Sequence, residues 1–177
     1  AGSVTVTTAD VNAGITLDAD TNLGTAALVI DDATAGTGTL TLSAAQASGR
    51  SITDNANESV VITALTSDVD LSDLDLDGTG STTIQSTDES SVDISSNDNF
   101  LATDFGGAGL TIALTDTALT ATAAQLDGVT VTGTDGADAD ADNESTVTIT
   151  GGVAAATGGN TSYDITGLHD SSVDLVI

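Results

Sequence analysis

Apolar residues recur at every second position over much of the chain. Val4-Thr-Val6-Thr, Ile15-Thr-Leu17-Asp, Leu40-Thr-Leu42-Ser, Val129-Thr-Val131-Thr and Val147-Thr-Ile149-Thr all alternate apolar with polar. A period of two puts one set of side chains on each side of a pleated strand. These segments therefore predict short strands with one face buried and one wet. Clusters of Gly, Asn, Asp and Ser interrupt them every ~8–14 residues, which is turn chemistry. Two segments break the period, Ser43-Ala-Ala-Gln-Ala47 and Thr122-Ala-Ala-Gln-Leu126. Ser or Thr ahead of Ala-Ala-Gln suits an N-cap, and Gly49 or Gly128 a C-terminal stop, so each predicts one helical turn.

These two segments belong to an internal repeat. Leu42 to Thr53 aligns with Ala121 to Thr132 at an offset of 79. Upstream, Asn22-Leu-Gly-Thr-Ala-Ala-Leu28-Val-Ile30 aligns with Asp104-Phe-Gly-Gly-Ala-Gly-Leu110-Thr-Ile112 at 82. Downstream, Asn57-Glu58-Ser59 recurs as Asn143-Glu144-Ser145 at 86, and Leu65…Val69-Asp70-Leu71 as Leu168…Val173-Asp174-Leu175. The blocks keep their order while the loops between them grow. The organisation expected is residues 1–16 as the end of a preceding repeat, 17–98 as repeat 1 and 99–177 as an incomplete repeat 2. Ser3-Val-Thr-Val6 resembles the later segment Ser81-Thr-Thr-Ile84, so the chain is expected to be a piece of a longer array.

Two all-β architectures can hold such strands. One is a parallel β-solenoid-like stack with one short helical turn per repeat, and the alternative is a tandem of Ig-like β-sandwiches. A sandwich core centres on bulky aromatics. Here the aromatics are Phe100, Phe105 and Tyr163 only, and the apolar residues are small to medium. They fill a narrow stack more readily than a ~10 Å sandwich core. Over Asp68 to Leu76 the alternation shifts by one residue at Ser72-Asp73, as expected where a chain turns a corner with its apolar side inward. The solenoid is the expected fold.

Charge changes the picture of function. Twenty-seven acidic residues face one basic residue, Arg50, for a formal charge of -26. A nucleic-acid binder needs a basic patch, and an anionic membrane repels such a chain. No apolar run reaches ~18 residues, so membrane insertion by a helix is not expected. There is no Cys and one His, His169, which removes thiolate chemistry and any intramolecular His cluster. No catalytic centre is recognisable, and the chain is expected not to be an enzyme.

The acids suggest metal chemistry instead. Asp73, Asp75 and Asp77 alternate with Leu74 and Leu76 ahead of Gly78, as in the first half of an EF-hand-type loop. The second half departs, with Ile84 where that loop has Glu, and the leucines read as strand interior. Asp138, Asp140 and Asp142 form the other dense cluster, in an insertion of the second copy. Oxygen-only clusters suit hard cations, so calcium is the expected ion at these six residues. Uncompensated charge on a compact rod also demands divalent ions or high salt. Arg50 is expected to pair with a local Asp, and His169 to lie solvated in a turn. Asn57, Asn143 and Asn160 head glycosylation sequons and are candidate glycan positions.

At Leu40-Thr-Leu-Ser-Ala-Ala-Gln-Ala47, Val61-Ile-Thr-Ala-Leu65 and Val69-Asp-Leu-Ser72 the chain resembles repeats of large secreted bacterial surface proteins, the type I-secreted RTX-like adhesins and S-layer proteins. The resemblance covers most of the chain and is one of repeat style. It implies an extracellular or cell-surface place, calcium-dependent folding and a structural or adhesive job. Thr111 stands where the calcium nonapeptide of that family has Asp. The expected function is a structural module of a filament, surface layer or giant adhesin, whose partners are copies of itself joined end to end by strand contacts. The alternative is an ice- or carbohydrate-binding Thr-rich solenoid. Its candidate pairs are Thr5-Val-Thr7, Thr39-Leu-Thr41, Thr130-Val-Thr132 and Thr146-Val-Thr148, though their uneven spacing along the chain argues against a regular array.

Overall fold

The computed structural model describes residues 2–7, 14–31, 38–54, 58–76, 80–88, 90–100, 109–134, 145–150 and 173–176. In chain order the strands are β1 (Ser3–Thr7), β2 (Ile15–Thr16), β3 (Ala27–Asp31), β4 (Thr39–Ser43), β5 (Ile52–Asp54), β6 (Ser59–Thr63) and β7 (Leu74–Asp75). They continue as β8 (Thr82–Gln85), β9 (Ser91–Asp93), β10 (Leu110–Thr115), β11 (Ala118–Thr122), β12 (Thr130–Thr134), β13 (Ser145–Thr150) and β14 (Val173–Val176). The helix α1 (Ala44–Ala47) follows β4.

Every pairing among the described strands is parallel, and partners come from successive coils of the chain. Sheet A runs β1-β3-β5-β7, sheet B runs β12-β10-β8-β6-β4-β2, and sheet C runs β14-β13-β11-β9. This is a parallel β-solenoid. Its coils differ in length: the circuit from Thr82 to its partner Leu110 takes more chain than the circuit from Thr111 to its partner Thr130. The variation falls in the connections while the strands stay in register.

Register decides what is buried. Leu42, Ile62, Ile84, Ile112 and Val131 stand opposite one another on adjacent strands of sheet B, all at 0–1% exposure. Leu28, Ile52 and Leu74 make the corresponding inward row in sheet A, and Val92, Leu119 and Val147 in sheet C. Like residues thus stack on like, which suits β-branched side chains with few rotamers. The sandwich alternative fails because each coil buries its apolar set on the coil beneath, so a thin core of Leu, Ile, Val and Ala suffices. Among the described residues Phe100 is the largest fully buried side chain.

The segment across Ser72-Asp73 turns a corner as its phase shift suggests. Val69 and Leu71 are buried, Ser72 and Asp73 are exposed in a turn, and Leu74 and Leu76 are buried again. Only Leu74–Asp75 is strand. Asp70 Oδ1 accepts both the N–H of Ser72 at 3.1 Å and its hydroxyl at 2.7 Å, and this Asx-turn bends the chain before a longer strand can form.

The Ala-Ala-Gln segments share their cap but not their helix. Ser43 caps α1 in a capping box, with Gln46 N–H donating to Ser43 Oγ and Ser43 N–H donating to Gln46 Oε1. Thr122 and Gln125 make the same reciprocal pair at 3.3 and 2.9 Å. In the first copy Ser48 N–H reaches Ala44 O and closes a helical turn, whereas residues 123–128 of the second form consecutive turns, with Gln125 N–H on Thr122 O. Gly49 and Gly128 end both segments at φ +64 and +70, where any other residue is strained.

The equivalent segments occupy different sheets. β3 and β5 of sheet A correspond to β10 and β12 of sheet B, and β4 and β6 of sheet B to β11 and β13 of sheet C. Each pair stays paired, but the second copy is set one sheet further round. The repeat offset is not a whole number of coils, and the excess moves the copy on by one sheet. The fourth aligned block parts company: residues 69–71 lie outside any strand, while Val173–Val176 form β14.

Candidate functional site

The acid ladder is only partly visible. Asp73 lies in the exposed turn and Asp75 on the outer side of β7, while Leu74 and Leu76 point into the core. Strand alternation therefore separates these acids from the leucines and leaves them facing solvent. Asp77, Asp138, Asp140 and Asp142 lie outside the described residues, as do His169, Asn57, Asn143 and Asn160. Among the described residues no three His, Cys, Asp or Glu side chains gather as metal ligands.

What the structure does gather is a column of corners, formed by residues 18–21, 44–50, 67–73, 94–99 and 122–128. They exchange side chain–backbone bonds from coil to coil. Gln46 Nε2 donates to the carbonyls of Asp18 at 2.8 Å and Thr21 at 3.2 Å. Gln125 Nε2 repeats this on Ile94 and Asn97 at 2.6 and 2.9 Å. Asn97 Nδ2 donates to Ser67 O and Val69 O.

A smaller motif recurs in this column. Ser48 Oγ accepts the N–H of Asp70, whose carboxylate accepts the N–H and O–H of Ser72. One coil higher, Ser67 Oγ accepts the N–H of Asp93, whose carboxylate accepts both groups of Ser95 at 3.0 and 2.6 Å. The Ser95 hydroxyl and then its N–H hold the Asp93 carboxyl below the usual value of 3.8. The longer internal alignment passes over this coil-level repeat, yet its signal is in the sequence: Val69-Asp-Leu-Ser72 against Val92-Asp-Ile-Ser95.

Arg50 corrects an expectation. Among the described residues no Asp pairs with it. Its Nε donates to Gln46 O at 2.8 Å, Nη2 to Gly24 O at 2.8 Å, and Nη1 to Ala26 O. Carbonyls at a turn have no ladder partner, and a guanidinium fork can serve several at once. The guanidinium borders an open pocket of about 240 Å³ lined also by Gly24, Thr25, Ala27 and Ser48, and each of its three nitrogens donates to a backbone carbonyl. Arg50 therefore fastens two coils together. In the second copy Val129 takes its place and is buried at 4% exposure.

The Thr-x-Thr pairs scatter over three sheets: Thr5 and Thr7 on β1 of sheet A, Thr39, Thr41, Thr130 and Thr132 in sheet B, Thr146 and Thr148 in sheet C. Sheet B nevertheless builds an outward row that the pairs alone do not reveal. Thr16, Thr41, Val61, Thr83, Thr111 and Thr130 lie side by side on six adjacent strands. Thr16 and Thr83 come from segments with no Thr-x-Thr pattern, so only register recruits them. No protein-family profile, curated protein or solved structure matches the chain.

Proposed function

We propose that the chain is a structural module of an extracellular filament, surface layer or giant adhesin, stiffened by calcium and extended end to end through strand contacts. One observation carries this reading: the described residues form a parallel solenoid whose stabilising contacts run coil to coil along its axis. Such a stack is quasi-one-dimensional, and it lengthens by adding coils without altering those present. β2 and β12 stand at opposite edges of sheet B among the described strands, and edge N–H and C=O groups favour strand addition. The resemblance to secreted surface repeats supports the same reading.

The acid load bears on the calcium part. Asp73 and Asp75 are exposed carboxylates on a chain of formal charge -26, and repulsion among such groups is relieved by divalent ions or by salt. Melting of the whole chain tests this with calcium, with chelator, and with chelator plus sodium chloride at matched ionic strength. Calcium is expected to raise the midpoint beyond what sodium chloride restores, and full recovery in sodium chloride refutes calcium binding. Electron microscopy of concentrated chain in calcium tests assembly. Linear particles that shorten on deletion of residues 1–7 are expected, and single particles in both cases refute the end-to-end contact.

A further inference from the structure

The outer side of sheet B differs from the rest of the molecule. None of its outward positions on six strands carries a charge. Sheets A and C each present a carboxylate on their outer side, Asp75 and Asp93. In a chain with 27 acids, a whole sheet face without one is a distinct surface.

That face is an ordered array. The row Thr16, Thr41, Val61, Thr83, Thr111 and Thr130 repeats at the strand spacing, about 4.8 Å. Two positions along the strands, about 6.6 Å from the first row, Thr63 stands beside Ser43, and Gln85 and Thr132 flank Ala113. There the Thr63 hydroxyl donates to Leu42 O and the Ser43 hydroxyl is held by Gln46. The coils differ in length, yet the array is regular because parallel register absorbs the difference in the loops. Among the described residues the five threonine hydroxyls of the first row have no hydrogen-bond partner. Each threonine also offers a methyl group beside its hydroxyl.

We propose that the outer face of sheet B orders water and adsorbs to an ice surface. A rigid row of hydroxyls with no partner among the described residues can hold water oxygens at fixed intervals, as an ice lattice requires. Intervening methyls limit competing disorder, and a charged group would impose its own hydration shell on the lattice. A second copy fits less well, since the face spans roughly 400 Å², against ~800 Å² per partner in a stable complex. A sugar chain also fits less well: it favours aromatic stacking, and Phe100, the one aromatic among the described residues, is buried.

The test uses the full chain in calcium buffer. Ice recrystallisation and the gap between melting and freezing points are measured for the parent, for Thr83→Lys with Thr111→Lys on sheet B, and for Thr120→Lys with Thr148→Lys on sheet C. Thr83→Val with Thr111→Val keeps shape and strand propensity if the lysines disturb folding, which circular dichroism reports. The expected result is ice activity in the parent, loss to the buffer level in the sheet B lysine pair, reduced activity in the valine pair, and retention in the sheet C pair. A parent no more active than an inert protein overturns the proposal. So does equal loss in both lysine pairs, or full activity in the sheet B pairs. Sheet B-dependent dimers in sedimentation, or retention on insoluble polysaccharide, without ice activity assign the face to those partners instead and also overturn it.

Discussion

Gln46 ties a corner of the stack to the coil beneath it, and the cost of removing it can be worked out. Its Oε1 accepts the N–H of Ser43 at 3.0 Å and the Ser43 hydroxyl at 3.2 Å, and its Nε2 reaches two carbonyls at 2.8 and 3.2 Å. The residue is 7% exposed. Each such bond contributes about 1 kcal/mol net, and a buried group left unmatched costs about 1–3 kcal/mol. Asp18 and Thr21 are exposed, so their carbonyls recover water when the amide is deleted, while the half-buried Ser43 N–H recovers less. Gln46→Ala is therefore expected to lose about 2–4 kcal/mol, more than a typical helix cap alone. Gln46→Glu separates shape from donor chemistry. It keeps the acceptor and aims a second oxygen, in place of NH₂, at two carbonyl oxygens. As a carboxylate it is repelled and desolvated, so at neutral pH it is expected to be at least as harmful as Ala. The protonated acid can donate, so the fold favours it and raises its pKa above about 4.3. The variant's stability relative to the parent is then best below that value and is lost as pH rises through the raised pKa. Urea unfolding of each variant against the parent at matched pH gives the energies, and amide exchange at Ser43 and Gln46 gives the local effect. A loss under about 0.5 kcal/mol in Gln46→Ala, the scale of an ordinary surface change, refutes the reasoning.

Ile62→Ala opens a hole in the inward row of sheet B and is expected to cost about 2–5 kcal/mol in urea unfolding. Gly128→Ala meets no atom within 4 Å but must hold φ +70, so a loss of about 1–2 kcal/mol from conformation alone is expected in the same assay. The Asp93 carboxyl is held below 3.8, so its contribution is present above that pH and fades as pH falls through the lower folded value. An NMR titration is expected to show this, and Ser95→Ala to return the Asp93 midpoint toward 3.8.

Much of this protein was legible in its sequence because the deciding interactions are local. Alternation named the inward residues: Leu40, Leu42, Val131, Val147 and Ile149 are all buried. Spacing by three named the caps, since Ser43 with Gln46 and Thr122 with Gln125 need only one turn of chain to meet. The phase shift at Ser72-Asp73 marked a corner because a strand cannot present one face across it. Asp73 and Asp75 were separable from Leu74 and Leu76 by the same alternation.

The tertiary structure alone decided which strands stand together. Backbone pairing is the same chemistry for any residue, so a period of two fixes a strand's faces but not its neighbour. That choice depends on how much chain each connection takes up, and the connections differ from coil to coil. The second copy therefore lands one sheet further round, and the Thr-x-Thr pairs divide among three sheets while lone threonines join one row. Among the described residues Arg50 finds carbonyls far back along the chain rather than an Asp, because coiling brings the turn at Gly24 and Ala26 beneath it. Sequence distance carries no trace of that approach; it follows from the register of β3 on β5.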